Sequence, residues 1–319
     1  ISLRVVLTRL KSKFSSPGNF FSPNHKNKNK LVKIKKNIFL FRKFNTQIKF
    51  NSDTINESKA SLINEQGFLR LPSDYLSYAD DLKNFIYNQV GVENILERFE
   101  EVSKKYQGIA GNRSPIINLL NNNTGKGVLL NYLTDPDLLS IISNYLGTYP
   151  WLYSCDLWIS NEIQDYAGTS QNFHIDWEDE KIIKMFFFLD DIDEDTGPFC
   201  LLNKKDSGTI KEIHSEHYEN KIVSTRLSDD MVFSCIDKNR LIKATGKAKE
   251  IFMVDTCNVL HYGSRKSIKP RLMLSCMYAS PFSLACWNKP THRKNKYLID
   301  SKSNYWDWSL SDNVSRKHI

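Results

Sequence analysis

After Pro150 the chain changes texture, and that change limits its possible folds more than any other feature. Eight apolar runs follow: "WLYSCDLWIS", "QNFHIDW", "IIKMFFFLD", "FCLLN", "IVSTRL", "MVFSCI", "EIFMVDTCNVLHYG" and "RLMLSCMYAS". Short runs rich in β-branched and aromatic residues, bounded by turn formers, are expected as strands. Ahead of Pro150 the periodicity is helical. "NILERFEEVSKKY" repeats apolar residues at Ile95, Leu96, Phe99, Val102 and Tyr106, and "YADDLKNFIYNQV" reads as a further helix. "TDPDLLSIISNYLG" offers Thr134 or Asp135 as a cap, Pro136 in the first turn and Gly147 as terminator. Organised sequence is expected from near Leu62, where "LINEQGFLRLPSDYLS" reads as a helix end, a Gly turn, a strand and a Pro-Ser cap. The expected fold is α+β with a mainly β core, a sandwich or jelly-roll barrel with helices packed on one side.

Charge is distributed unevenly. The net charge of +8 hides a first fifty residues with 13 Lys/Arg and no acid, leaving 31 basic and 36 acidic residues beyond them. The body is therefore mildly acidic and only residues 1–50 are basic. That extension suits contact with nucleic acid or an anionic membrane, but a solvated, poorly ordered segment is the simpler expectation. "ISLRVVLTRLKSKFSS" also fits an organellar transit segment. No apolar run approaches the roughly 18 residues that span a bilayer. The six cysteines form no CxxC pair, and Cys200, Cys235 and Cys276 lie in strand-like runs, where reduced buried thiols are expected. A cytoplasmic setting fits that usage.

Within "QNFHIDWEDE", His174 and Asp176 are two apart, so on a strand they share a face while Phe173, Ile175 and Trp177 take the other. An imidazole beside a carboxylate is either a salt-bridged pair or two thirds of a metal site. Of the seven histidines, His25, His292 and His318 lie in polar ends, and His214 and His217 in the polar "KEIHSEHYEN". Only His261 closes a strand-like run late in the β-rich half. Two histidines and one carboxylate on one side of a metal leave adjacent positions open, which suits a non-haem Fe(II) that takes a bidentate cosubstrate and then O2. Ten residues on, Arg271 opens the next strand, and its fork can hold a carboxylate in two parallel hydrogen bonds. His174, Asp176 and His261 are thus the candidate catalytic and metal-binding set. Arg271 is the candidate anchor for the distal carboxylate of 2-oxoglutarate.

These residues resemble the phytanoyl-CoA dioxygenase-like family of Fe(II)/2-oxoglutarate oxygenases, over about Leu62 to Ser280. "HIDWEDEKIIKMFFFLDDIDEDTGPFCLL" is similar to the family's HxD strand, next strand and Gly-Pro turn, and "DTCNVLHYGSRKSIKPRLMLSCMYAS" to its distal HxG…R element. The resemblance implies a double-stranded β-helix, Fe(II), 2-oxoglutarate and O2 as cofactor and cosubstrates, and a small-molecule substrate. It implies iron ligands at His174, Asp176 and His261, a cosubstrate anchor at Arg271 and a structural turn at Gly197-Pro198. Lys184 is a candidate cofactor-binding contact or else a surface lysine. Asp255 and Asn172 are candidates to support the ligands. Residues 51–290 would form the oxygenase domain and 291–319 a tail, in which Tyr305, Trp306 and Trp308 could anchor. One departure stands out: where the family carries a "PGSH"-like segment this chain has "LLNKKDSGTI", so an acyl-CoA substrate does not follow. Relatives that halogenate have a small residue at the carboxylate position, so Asp176 favours hydroxylation. Two other readings fit the residues: a cupin-type metal-dependent hydrolase or isomerase, and a non-catalytic binding module whose basic tail is the working part. Nothing in the sequence fixes an oligomeric state.

Overall fold

In the computed structural model, residues 54–90, 116–118, 127–148, 150–160, 170–176, 179–215, 226–265, 267 and 269–280 are described. The basic extension, the expected helix "NILERFEEVSKKY", His217 and the C-terminal aromatic segment lie outside them. Helix α1 (Thr54–Gln66) begins eight residues before Leu62, earlier than the sequence reading, and ends at Gly67. Gly67 has φ +89°, and a Cβ there would sit 2.2 Å from Val259 Cγ1, so the turn needs glycine for both conformation and space. Strand β1 (Phe68–Leu71) follows, then helix α2 (Ala79–Val90) and strand β2 (Ile116–Asn118). Helix α3 (Val128–Leu133) precedes α4 (Pro136–Leu146). The start of α4 is set by the Asp135 side chain, which accepts from the Asp137 and Leu138 N–H groups. Gly147 in the left-handed region closes it.

The β-rich half contributes β3 (Trp151–Ser160), β4 (Ile182–Phe188), β5 (Cys200–Leu201), β6 (Ile242–Lys243), β7 (Ile251–Val254), β8 (His261–Tyr262) and β9 (Arg271–Ala279). Two antiparallel sheets result, ordered β1-β7-β4-β9-β3-β2 and β6-β5-β8. Period-2 alternation sorts the large sheet's side chains. Ile183, Met185 and Phe187 of β4 bury against Ile63, Leu82, Ile141 and Ile142 of the helices. Phe186 and Phe188, with Phe252 and Met273, turn the other way onto Phe199, Leu201 and Val259, between the two sheets. A fully buried Phe or Ile side chain contributes about 2–3 kcal/mol. Burial on both faces of β4 therefore fixes the layer order: helices, large sheet, small sheet.

Three expected strands differ. "MVFSCI" is not a strand: helix α6 (Asp229–Phe233) occupies it, capped by the Ser228 hydroxyl accepting from Met231 N–H and led by Asp229 and Asp230. Cys235 accordingly follows a helix and is only half-buried. "EIFMVDTCNVLHYG" is two strands, because the Asp255 carboxylate accepts from Cys257 N–H and the Asp255 carbonyl from Asn258 and Val259 N–H, turning the chain from the large sheet into the small one. "QNFHIDW", described as far as Asp176, forms two single bridges there rather than an extended strand, Phe173 to Leu227 and His174 to His261. Between β5 and α6, helix α5 (Lys204–Ile213) caps on Asn203 and covers the outer face of the small sheet through Ile210.

Candidate metal centre

The bridge between His174 and His261 carries both backbone hydrogen bonds, His174 N–H to His261 O at 2.9 Å and the reverse at 3.0 Å. Directly paired antiparallel residues project to the same face. The two imidazoles therefore lie side by side, ring centres 4.2 Å apart. Asp176, two residues beyond His174, is held by its N–H donating to Thr256 O at 2.8 Å. Its Oδ1 stands 3.8 Å from His174 Nε2 and 3.9 Å from His261 Nε2. One ligand atom from each residue lies within 4.8 Å of the others. Three residues from two separate stretches of chain thus converge on one small space.

The imidazoles are prepared as ligands. Nδ1 of His174 bonds Asn172 O at 2.8 Å, and Nδ1 of His261 bonds Val259 O at 3.0 Å. A carbonyl only accepts, so each Nδ1 carries the proton and each Nε2 presents a lone pair toward Asp176. Burial pushes His174 well below the usual imidazole range and His261 down to about 4, so both are neutral at pH 7. Burial would raise Asp176, but the ammonium of Lys184, ion-paired to its Oδ2, and the two flanking imidazoles together hold the carboxyl well below the ordinary carboxylate value. Two neutral nitrogens and one ionised oxygen form a mixed donor set suited to a borderline divalent metal ion.

Around the three, Phe199 stacks obliquely 5.2 Å from the His261 ring and 5.3 Å from Phe186, which makes an apolar wall. Lys184 is no surface residue. It lies on the inter-sheet face of β4, two residues from Phe186, and reaches Asp176 across the gap between sheets. Arg271 is buried at the start of β9, donating from Nη1 to Gly197 O at 2.8 Å rather than touching the His-Asp-His set. Burial lowers its pKa to about 10, leaving it protonated. Gly197 has φ +63°, and a Cβ there would lie 2.2 Å from Ser264 Oγ and 2.9 Å from Ser267 Cβ, so this turn needs glycine. Asn172 supports His174, though through its carbonyl. Asp255 does not reach the site: it is fully buried, accepting from Tyr145 hydroxyl, Asn258 Nδ2 and the Ile182 and Cys257 N–H groups. His214 caps α5 and bonds Met231 O, remote from the set. Sequence reasoning missed Arg226, whose charge acts on His174, Asp176 and His261. It is brought there by the pairing of the next residue, Leu227, with Phe173, which the sequence does not display.

No protein-family profile matches the chain, and no curated protein matches it. Solved structures of similar outline exist. EctD from S. alaskensis in its apoform gives a TM-score of 0.46 at 13% identity, over 74% of this chain and 79% of that one. SnoK, a non-heme alpha ketoglutarate dependent carbocyclase from nogalamycin biosynthesis, gives 0.44 at 14% identity, over 72% and 84%. HygX from Streptomyces hygroscopicus, with nickel and 2-oxoglutarate bound, gives 0.43 at 15% identity, over 70% and 86%. These likenesses are distant, and the chemistry of this chain is read from its own side chains.

Proposed function

We propose that the chain is an Fe(II)- and 2-oxoglutarate-dependent oxygenase of the phytanoyl-CoA dioxygenase-like kind, its two sheets closing as a double-stranded β-helix. It hydroxylates a C–H bond of a small organic substrate. The observation that carries this reading is the convergence of His174, Asp176 and His261 as two neutral nitrogens and one ionised oxygen. Three protein donors on one side leave room for further ligands on the other. Fe(II) held there, with 2-oxoglutarate and O2, supplies oxidation of a C–H bond with release of succinate and CO2.

The residues divide the remaining work. His174 and His261 would hold the metal through Nε2, their tautomers fixed by Asn172 O and Val259 O. Asp176 would supply the anionic ligand. Arg271, fixed by Gly197 O, would take the distal carboxylate of 2-oxoglutarate in a forked pair. Lys184, already a cation beside Asp176, is the second residue suited to an anionic end of the cosubstrate. Phe186, Phe188, Phe199 and Phe252 keep water from the space between the sheets.

The test is anaerobic reconstitution of the full chain with Fe(II), followed by 2-oxoglutarate titration watched for a weak charge-transfer band in the visible. The band is expected in the parent and absent in His174→Ala. Metal uptake with no band in the parent would overturn the oxygenase reading in favour of hydrolytic metal chemistry.

A further inference from the structure

Arg226 lies in the same row of side chains as the two histidines. Leu227 pairs antiparallel with Phe173, its N–H donating to Phe173 O at 2.9 Å. One step along that register sets Arg226 opposite His174. The alternation then sorts two rows. Cys200, Tyr262, Phe173 and Leu227 share one apolar cluster on the outer face of the small sheet. The alternate row runs Leu201, His261, His174, Arg226, and Leu201 packs between the sheets. Arg226 therefore ends the row that carries the candidate ligands, and its own residue is exposed.

Its partners are equally informative. Lys184 is ion-paired to Asp176 and Arg265 to Asp229, whereas Arg226 has no hydrogen bond or ion pair among the described residues. The register sets its backbone opposite that of His174, which in turn pairs with His261. An exposed guanidinium beside a metal site stands where an incoming molecule arrives, whereas Arg271 is buried at the base of its strand. A single planar fork matches the two oxygens of one carboxylate in two parallel hydrogen bonds.

We propose that Arg226 binds a carboxylate of the primary substrate at the rim of the metal centre, so that the substrate class is small carboxylic acids. This assignment rests on the oxygenase reading above. The test uses the full chain loaded with Ni(II) and saturating 2-oxoglutarate, which occupies Arg271. Ligand-observed NMR then compares a panel of small amino and hydroxy acids, each against its primary amide. Binding of acids is expected to exceed that of their amides by about ten-fold or more, the scale of a charged hydrogen-bonded pair. The preference should vanish in Arg226→Gln and return in part in Arg226→Lys. Equal binding of acid and amide to the parent, or an unchanged preference in Arg226→Gln, would overturn the proposal. On Fe(II)-loaded samples the 2-oxoglutarate band should be alike in the parent and Arg226→Gln. Its loss in the variant alone would make Arg226 a cosubstrate anchor and overturn the substrate role. Its absence from the parent would end the oxygenase reading, while the acid-to-amide ratio would still decide Arg226.

Discussion

Nδ1 of His174 and Nδ1 of His261 each bond a carbonyl two residues back, and that repeated local device fixes both tautomers, while burial keeps both rings neutral. The same burial has a cost in acid. With His261 at about 4 in the folded state and near the ordinary 6.5 when unfolded, the unfolded chain takes up a proton that the folded chain refuses. Stability of the metal-free protein should therefore be complete above about pH 6.5, fall as pH drops through that window, and level off below about 4. His261 alone accounts for about 3 kcal/mol of that loss, and His174 acts in the same direction. Asp176, with its lowered pKa, adds its own loss only below the ordinary carboxylate value, outside this window. Urea midpoints of chelated protein at pH 7 and pH 4.5 check this, and His261→Gln should flatten the difference. Replacing the anionic ligand is more drastic: Asp176→Ala should abolish 2-oxoglutarate turnover, measured as succinate release, and retained turnover would remove Asp176 from the ligand set. Arg271→Ala should instead leave metal stoichiometry intact and weaken 2-oxoglutarate binding about 10- to 100-fold, read by titration of the visible band.

At the scale of elements, the Gly197 turn links two distant parts of the site. Its left-handed φ and its tight packing on Ser264 and Ser267 exclude a side chain, and its carbonyl holds Arg271. Gly197→Ala should lower stability by about 1–3 kcal/mol, seen as a reduced melting temperature, and should weaken 2-oxoglutarate binding by displacing that carbonyl. An unchanged cosubstrate affinity would show that Arg271 does not depend on the turn. Gly197-Pro198 was legible as a turn through the family resemblance, and glycine before proline is a common turn pair. The strands β3, β4 and β9 were legible too, since long apolar runs tolerate burial on both faces. Helix α6 was not, because "MVFSCI" is too short for its period to declare itself. The better signal lay one step upstream, in Ser228 followed by Asp229 and Asp230. The split of "EIFMVDTCNVLHYG" was hidden for a related reason. Asp255 turns the chain through its side-chain and main-chain acceptors, and apolar periodicity does not register such bonds. For the candidate site, residue order suggested His174, Asp176 and His261. Lys184 was named from the strand after the HxD only by resemblance, as a cofactor contact or a surface lysine; its pairing with Asp176 and the position of Arg226 come from the folded structure.

At the scale of the whole molecule, a mostly buried ion pair bridges the space between the sheets. Lys184 belongs to β4 of the large sheet, and Asp176 follows the bridge that joins His174 to the small sheet. Both side chains are mostly buried, at 16% and 11% exposure, so neither charge is well hydrated. In the metal-free protein Lys184 is the main counter-charge of Asp176. A divalent ion beside Asp176 would take over that role. Lys184→Met therefore has two consequences of opposite sign. Without metal, Asp176 is left buried without its cation, and the melting temperature should fall by the equivalent of about 3 kcal/mol, the low end of what breaking a buried pair costs. With metal, the ion restores the missing charge, so the stabilisation produced by Mn(II) or Ni(II) should be larger in Lys184→Met than in the parent. Mass action alone gives about 2.7 kcal/mol at a hundred-fold excess over Kd. Any increment beyond the parent's value measures the competition between lysine and metal for the same carboxylate. Thermal melts of parent and variant, chelated and metal-loaded, provide the four numbers. Equal metal-induced shifts in both proteins would show that Asp176 does not meet the ion, and would move the metal centre away from the His-Asp-His set.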